Sequence, residues 1–219
     1  MIIEKCTYEF LEYPINRDME GNIMLILSSS GFNKTQVRLK IGEIIADKTG
    51  KMLIIPVGSV VGMETAERER NCAAMLGFKK ENIYIYDEFK PTELLDMKFS
   101  YIAVLGGHTL RLLRKVRELH LDTFIREQVA NGAVYLGFSA GAYLACDDIE
   151  YVKNYDTNDD GFITDGNFHA LGFTDKYVLC HFDCRGEKDI QLCRLYIGDE
   201  PELITLNNDQ VVVLPQKHR

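Results

Sequence analysis

No C-x-x-C pair occurs in this chain, although it carries six cysteines: Cys6, Cys72, Cys146, Cys180, Cys184 and Cys193. Cys180 and Cys184 are four apart, but no second pair completes a zinc set. At this length and density the cysteines do not read as a disulfide framework, and reduced thiols in a cytoplasmic protein are the expectation. Long apolar runs are missing too. Glu4, Lys5, Glu9 and Glu12 interrupt the apolar residues of the N-terminus, so no signal-peptide core stands there, and no run approaches the length of a membrane span. Positive charge is in short supply. The balance of 25 Lys and Arg against 33 Asp and Glu gives a formal net charge of −8. Binding to nucleic acid or to an anionic membrane surface needs a basic face, so neither is expected as a partner. Repeats, low-complexity tracts and linkers are also lacking. One domain over residues 1–219 is expected, with 1–22 as an N-terminal extension that either adds an edge strand or drapes over the surface.

What is present is a rhythm of apolar runs and helical patterns, in a chain with 46% hydrophobic residues. Strands are predicted at 23–27, 52–57, 82–86, 101–105 and 133–138. Helices are predicted at 33–47, with Asn33 as a cap, and at 64–76, 91–97, 109–120 and 122–131. This alternation predicts an α/β fold, a mostly parallel sheet with helices on both faces. The last third changes character, with strand-like runs at 177–182, 202–206 and 210–214. Asn207-Asn208-Asp209 reads as a hairpin turn between the last two.

The stretch "YLGFSAGAYLAC" (135–146) opens as a buried strand and closes as a small-residue helix. Ser139 stands at the corner between them. In open parallel sheets functional groups gather at the C-terminal strand ends. The pattern G-x-S-x-G there has a mechanical meaning: a strained strand-to-helix turn exposes the serine and needs small neighbours, here Gly137, Ala140, Gly141 and Ala142. Ser139 is either an ordinary N-cap or a nucleophile. A nucleophile needs a base, usually a histidine. Of the five histidines, His218 is terminal, His120 sits among exposed charges and His169 reads as a surface turn residue. His181, ending the apolar run "YVLCHF", is best placed. A second glycine-rich turn, Gly106-Gly107-His108-Thr109, follows "YIAVL". Its freed N–H and that of Ala140 fit an oxyanion hole, or its glycines simply serve a tight turn.

Together these pieces resemble the peptidase E family of serine peptidases, which includes the cyanophycinases. The resemblance rests on "GGHT" (106–109), "GFSAGA" (137–142), "TND" (157–159), "FHALGF" (168–173) and "HF" (181–182), in order. It implies a flavodoxin-like fold related to class I glutamine amidotransferases. It also implies Ser139 as nucleophile, His181 as base, Asp159 as orienting acid, and Gly107 and Ala140 as oxyanion-hole amides. His108 stands where the family usually has asparagine, and with Thr109 it falls beside the substrate. Arg185, with Lys188 near it, is the candidate to hold an acidic side chain. The expected partner is a small peptide, and no cofactor or metal is expected. The implied activity is hydrolysis of small peptides, with cleavage after an N-terminal aspartate as its specific form. The alternatives are a cyanophycinase-like isopeptide amidase and a non-catalytic binding relative. A competing pattern overlaps the acid segment. "DTNDDGFITDGN" (156–167) sets Asp156, Asn158 and Asp160 at calcium-ligand spacing, but position twelve is Asn167 and not glutamate.

Overall fold

The computed structural model describes residues 24–90, 92–154 and 161–216. Six strands form the central sheet: β1 (Met24–Ser28), β2 (Met52–Ile55), β3 (Ile83–Ile85), β4 (Tyr101–Val104), β5 (Val134–Phe138) and β8 (Val211–Pro215). Their order is β3-β2-β4-β5-β1-β8. The first five are mutually parallel and β8 runs antiparallel on the outer edge of β1. The helices are α1 (Thr35–Ile44), α2 (Gly62–Ala74), α3 (Thr92–Leu95), α4 (Thr109–Glu118), α5 (Leu121–Ala130), α6 (Ala140–Leu144) and α7 (Glu187–Ile197). The expected parallel sheet with helices on both faces is therefore present.

The strands read as unbroken apolar runs because both faces are covered. Alternate residues feed two cores. Leu25, Leu53, Ile102 and Tyr135 pack under α4, α5 and α6. Ile26, Ile54, Ala103 and Leu136 pack under α1 and α2. Helix α4 shows how sequence selects the face. Leu110, Leu112, Leu113 and Val116 are buried, while Arg114 and Glu118 pair on the outside. Helix α6 lies so close to the sheet that a Cβ on Gly141 would fall 2.1 Å from the Val104 carbonyl oxygen. The small residues flanking Ser139 thus have a packing cause as well as a chemical one.

The C-terminal third departs from the sequence reading. The residues at 207–210 form a tight turn, closed by Gln210 N–H donating to Asn207 O at 3.2 Å, but they do not join a hairpin. Strand β7 (Leu203–Leu206) pairs in parallel with β6 (Tyr177–Cys180) in a separate two-stranded sheet, and β8 crosses to β1. Each strand takes the partner whose edge is open, so a short connection makes them neighbours without pairing them. Residues 187–197, for which no element is predicted, form α7. Asp189 accepts from the N–H of Gly186 at 2.8 Å, which caps that helix. Asn33 is not a cap; its N–H donates to Glu69, and Lys34 holds the cap position of α1. The N-terminal extension at 1–22 lies outside the described residues. Among those described, no helix is long and apolar enough to cross a membrane.

Candidate active site

The C-terminal ends of β1, β4, β5 and β6 converge on Ser139. Its backbone is at φ 51° and ψ −111°, in the left-handed half of the map that non-glycine residues avoid. The corner is fixed from behind by Ser139 N–H donating to Ser28 O at 2.8 Å. Ser139 occupies the N-cap position of α6, yet its side chain makes no capping bond. Its Oγ lies 2.9 Å from Nε2 of His181. The hydroxyl therefore contacts the imidazole and makes no capping bond.

The turn after β4 packs directly beside it. A Cβ on Gly106 would sit 3.0 Å from Ser139 Cβ and 3.5 Å from its Oγ. Gly107 has φ +144°, and a Cβ there would fall 2.3 Å from Gly58 O, so glycine is required on both counts. The N–H groups of Gly107 and Ala140 donate to no acceptor among the described residues.

His181 is held from three sides. It leaves β6 in the left-handed conformation, φ 59° and ψ 39°. Its N–H donates to Ser29 Oγ at 2.9 Å, and that buried hydroxyl donates in turn to Leu206 O at 2.8 Å. Its Nδ1 lies 2.6 Å from Oδ1 of Asn208, whose Nδ2 donates to Asp183 Oδ2 at 2.5 Å. Neighbouring thiols are unsuited to nucleophilic work. Burial pushes Cys180 up to about 12 and Cys146 up to about 11, so both stay protonated at neutral pH.

The other expected site residues are more scattered. His108 caps α4, its Nδ1 accepting from Arg111 N–H at 3.3 Å, and its ring lies 4.9 Å from that of Phe162. Thr109 is buried in the first turn of α4. Arg185 donates through Nε to Cys180 O at 2.9 Å. Asp159 lies outside the described residues, as do Asp156, Asn158 and Asp160 of the calcium-like pattern. Among the described residues no group of three metal-ligating side chains comes together. Asn167, at the twelfth position of that pattern, accepts from Arg117 at 3.1 Å. The "FHALGF" segment is structural. Arg117 and Arg126 hold its carbonyls, and its backbone bonds to residues 144–147. Sequence reasoning missed Asn208. Its only signal was the Asn-Asn-Asp turn, which is equally an ordinary turn signature.

The model of Peptidase family S51 matches residues 24–218. The chain belongs to this family. Every element from β1 to β8, and so the whole site, falls inside the match. The S51 chain is 30% identical over 163 residues to peptidase E of Haemophilus influenzae, covering 73% of this chain and 72% of that one. It is 35% identical over 122 residues to peptidase E of Salmonella arizonae, covering 53% of this chain and 51% of that one. The chain spans about half the length of several curated relatives it matches. In three dimensions it is similar to a Listeria monocytogenes protein assigned to peptidase E, with TM-score 0.64 and 22% identity over 89% of this chain and 98% of that one. A peptidase from an acI-B1 Actinobacterium superposes with TM-score 0.58 and 16% identity, covering 88% and 83%. These two likenesses establish the peptidase E fold for this family member.

Proposed function

We propose that this protein is a serine peptidase of the peptidase E type acting on small peptides, with Ser139 as nucleophile, His181 as base and Asn208 as the group that orients the base. The observation that carries this reading is the 2.9 Å contact between Ser139 Oγ and His181 Nε2 at a strained strand-to-helix corner. The resemblance implied Asp159 for the orienting role; the Nδ1 contact made by Asn208 is the reason to give it to Asn208.

The steps follow from the geometry. Ser139 Oγ attacks the scissile carbonyl carbon as its proton passes to Nε2 of His181. The negative charge that develops on the carbonyl oxygen is met by the N–H groups of Gly107 and Ala140, at the start of α6. The C–N bond then breaks, and His181 returns the proton to the leaving amine. Water, deprotonated by the same Nε2, hydrolyses the acyl-enzyme and restores Ser139. Asn208 Oδ1 accepts from Nδ1–H throughout, holding the imidazole in the tautomer that leaves Nε2 free. An amide stabilises the imidazolium less than a carboxylate does, but triads with asparagine in this place are chemically competent.

Cleavage after an N-terminal aspartate is the narrower form of the proposal, with Arg185 and His108 as the candidate recognition groups. The test is a fluorophosphonate probe together with a panel of free and N-blocked dipeptides. The probe should label Ser139, and Ser139→Ala should abolish labelling and lower kcat by several orders of magnitude with the fold intact. Wild-type hydrolysis by Ser139→Ala would end the assignment of Ser139 as the nucleophile. Equal activity on aspartyl and alanyl dipeptides would end the acidic preference alone.

A further inference from the structure

We infer that Asp183 is a positioning residue that sets the proton on His181 by fixing which way the Asn208 amide points. This rests on the proposed roles of Ser139 and His181 and adds a fourth member behind them. The residues form one line: Ser139 Oγ to His181 Nε2 at 2.9 Å, His181 Nδ1 to Asn208 Oδ1 at 2.6 Å, and Asn208 Nδ2 to Asp183 Oδ2 at 2.5 Å.

The chemistry of an amide makes the last link matter. The oxygen and nitrogen of an asparagine side chain are nearly the same size, and a flip exchanges an acceptor for a donor. With oxygen toward the ring, Nδ1 carries the proton and Nε2 has the lone pair that takes the Ser139 proton. With nitrogen toward the ring, Nδ1 must accept, the proton sits on Nε2, and the base is lost. Nothing in His181 alone chooses between these states, because the neutral imidazole offers both tautomers. An ionised carboxylate does choose. It can only accept, so it takes the NH2 of Asn208 and leaves the carbonyl oxygen for His181. The bond is charge-assisted, which makes it stronger than a neutral one.

Local structure keeps Asp183 in place. It stands in the 3-10 turn Phe182–Cys184, immediately after His181, with Cys184 N–H donating to His181 O at 3.0 Å. The base and the carboxylate that sets it therefore move as one short unit, and Asn208 bridges them from the β7–β8 turn. Asp183 is exposed, so replacing it leaves the core untouched.

The test uses Asp183→Ala and Asp183→Asn in the full chain, with two readouts. One is the rate of Ser139 labelling by a fluorophosphonate. The other is the ring 15N shifts of His181, which report the tautomer and can be read in a Ser139→Ala background where no chemistry occurs. Asp183→Ala should slow labelling roughly tenfold, the scale for losing one charge-assisted bond, and should move His181 toward the Nε2–H tautomer. Asp183→Asn keeps a carbonyl but loses the charge and can itself flip, so it should recover only part of the loss and fall between Asp183→Ala and the unmutated protein. An Asp183→Ala protein that labels within about twofold of wild type and keeps the Nδ1–H tautomer would overturn the inference. Failure of the peptidase reading looks different: the unmutated protein would not label at Ser139, while the tautomer measurement would still judge Asp183.

Discussion

At the scale of single residues the site is a set of backbone exceptions. Ser139 and His181 both have positive φ without being glycine, and each is held there by a neighbour's hydrogen bond. Gly107 is the third exception, and it gives the sharpest residue-level prediction. Gly107→Ala would combine a φ of +144° with a Cβ 2.3 Å from Gly58 O. The turn must shift to relieve that contact, and the N–H proposed for the oxyanion shifts with it. The expected outcome is a kcat lower by roughly 10²-fold, the scale of losing one oxyanion donor, with KM nearly unchanged. Steady-state kinetics checks it, and a loss confined to KM would assign the turn to substrate binding instead. Of these residues, Ser139 and His181 were legible in sequence because each ends an apolar strand. Asn208 was not. It lies 27 residues beyond His181 in sequence, on a turn whose composition is explained by turn-making alone.

At the scale of elements, one hydroxyl joins three strands. Ser29 follows β1, accepts from His181 N–H after β6, and donates to Leu206 O at the end of β7. It fixes His181 and, two residues past Leu206, the turn that carries Asn208. Ser29→Ala leaves one donor and one acceptor there unpaired, so it should cost about 1–3 kcal/mol of stability. It should also lower kcat more than it raises KM, because His181 and Asn208, the proposed base and orienting amide, lose their common anchor. Denaturant unfolding and kinetics check the two halves, and an unchanged kcat would confine Ser29 to the fold. The elements themselves were unequally legible. Four of the five parallel strands, β1, β2, β4 and β5, are buried on both faces, and continuous apolar runs advertised them. Helix α7 was hidden because only Cys193 is fully buried in it, so its apolar stripe is faint within a charged stretch. The mistaken hairpin arose because sequence shows that β7 and β8 are close in the chain, not that β6 and β1 offer open edges to each.

At the scale of the whole molecule, stability is tied to pH through a carboxyl that the chemistry does not use. Glu69 on α2 is 3% exposed, and its Oε2 accepts from Asn33 N–H at 3.2 Å. It thereby fastens the loop after β1, the same loop that contributes Ser29. Burial pushes its carboxyl up to about 7, against the smaller opposing pull of the Asn33 and Phe32 N–H groups and of Arg68 and Arg38. The folded protein therefore binds a proton more tightly than the unfolded chain, where the ordinary value is 4.5. This contribution to stability is fully present below that value and is lost as pH rises through about 7. The shift corresponds to a cost on the order of 3 kcal/mol above pH ~8. Glu69→Gln keeps an acceptor for Asn33 and removes the charge. Its Tm should exceed that of the unmutated protein by several degrees at pH ~8.5, at roughly 2–4 °C per kcal/mol for a chain of this size. The advantage should shrink as pH falls toward ~5, where Glu69 is already neutral in the folded state. Taking the difference between the two proteins cancels the titration of every other group. A Tm difference that stays constant from pH ~5 to ~8.5 would mean that Glu69 ionises at its ordinary value, and that the loop after β1 is held by its geometry alone.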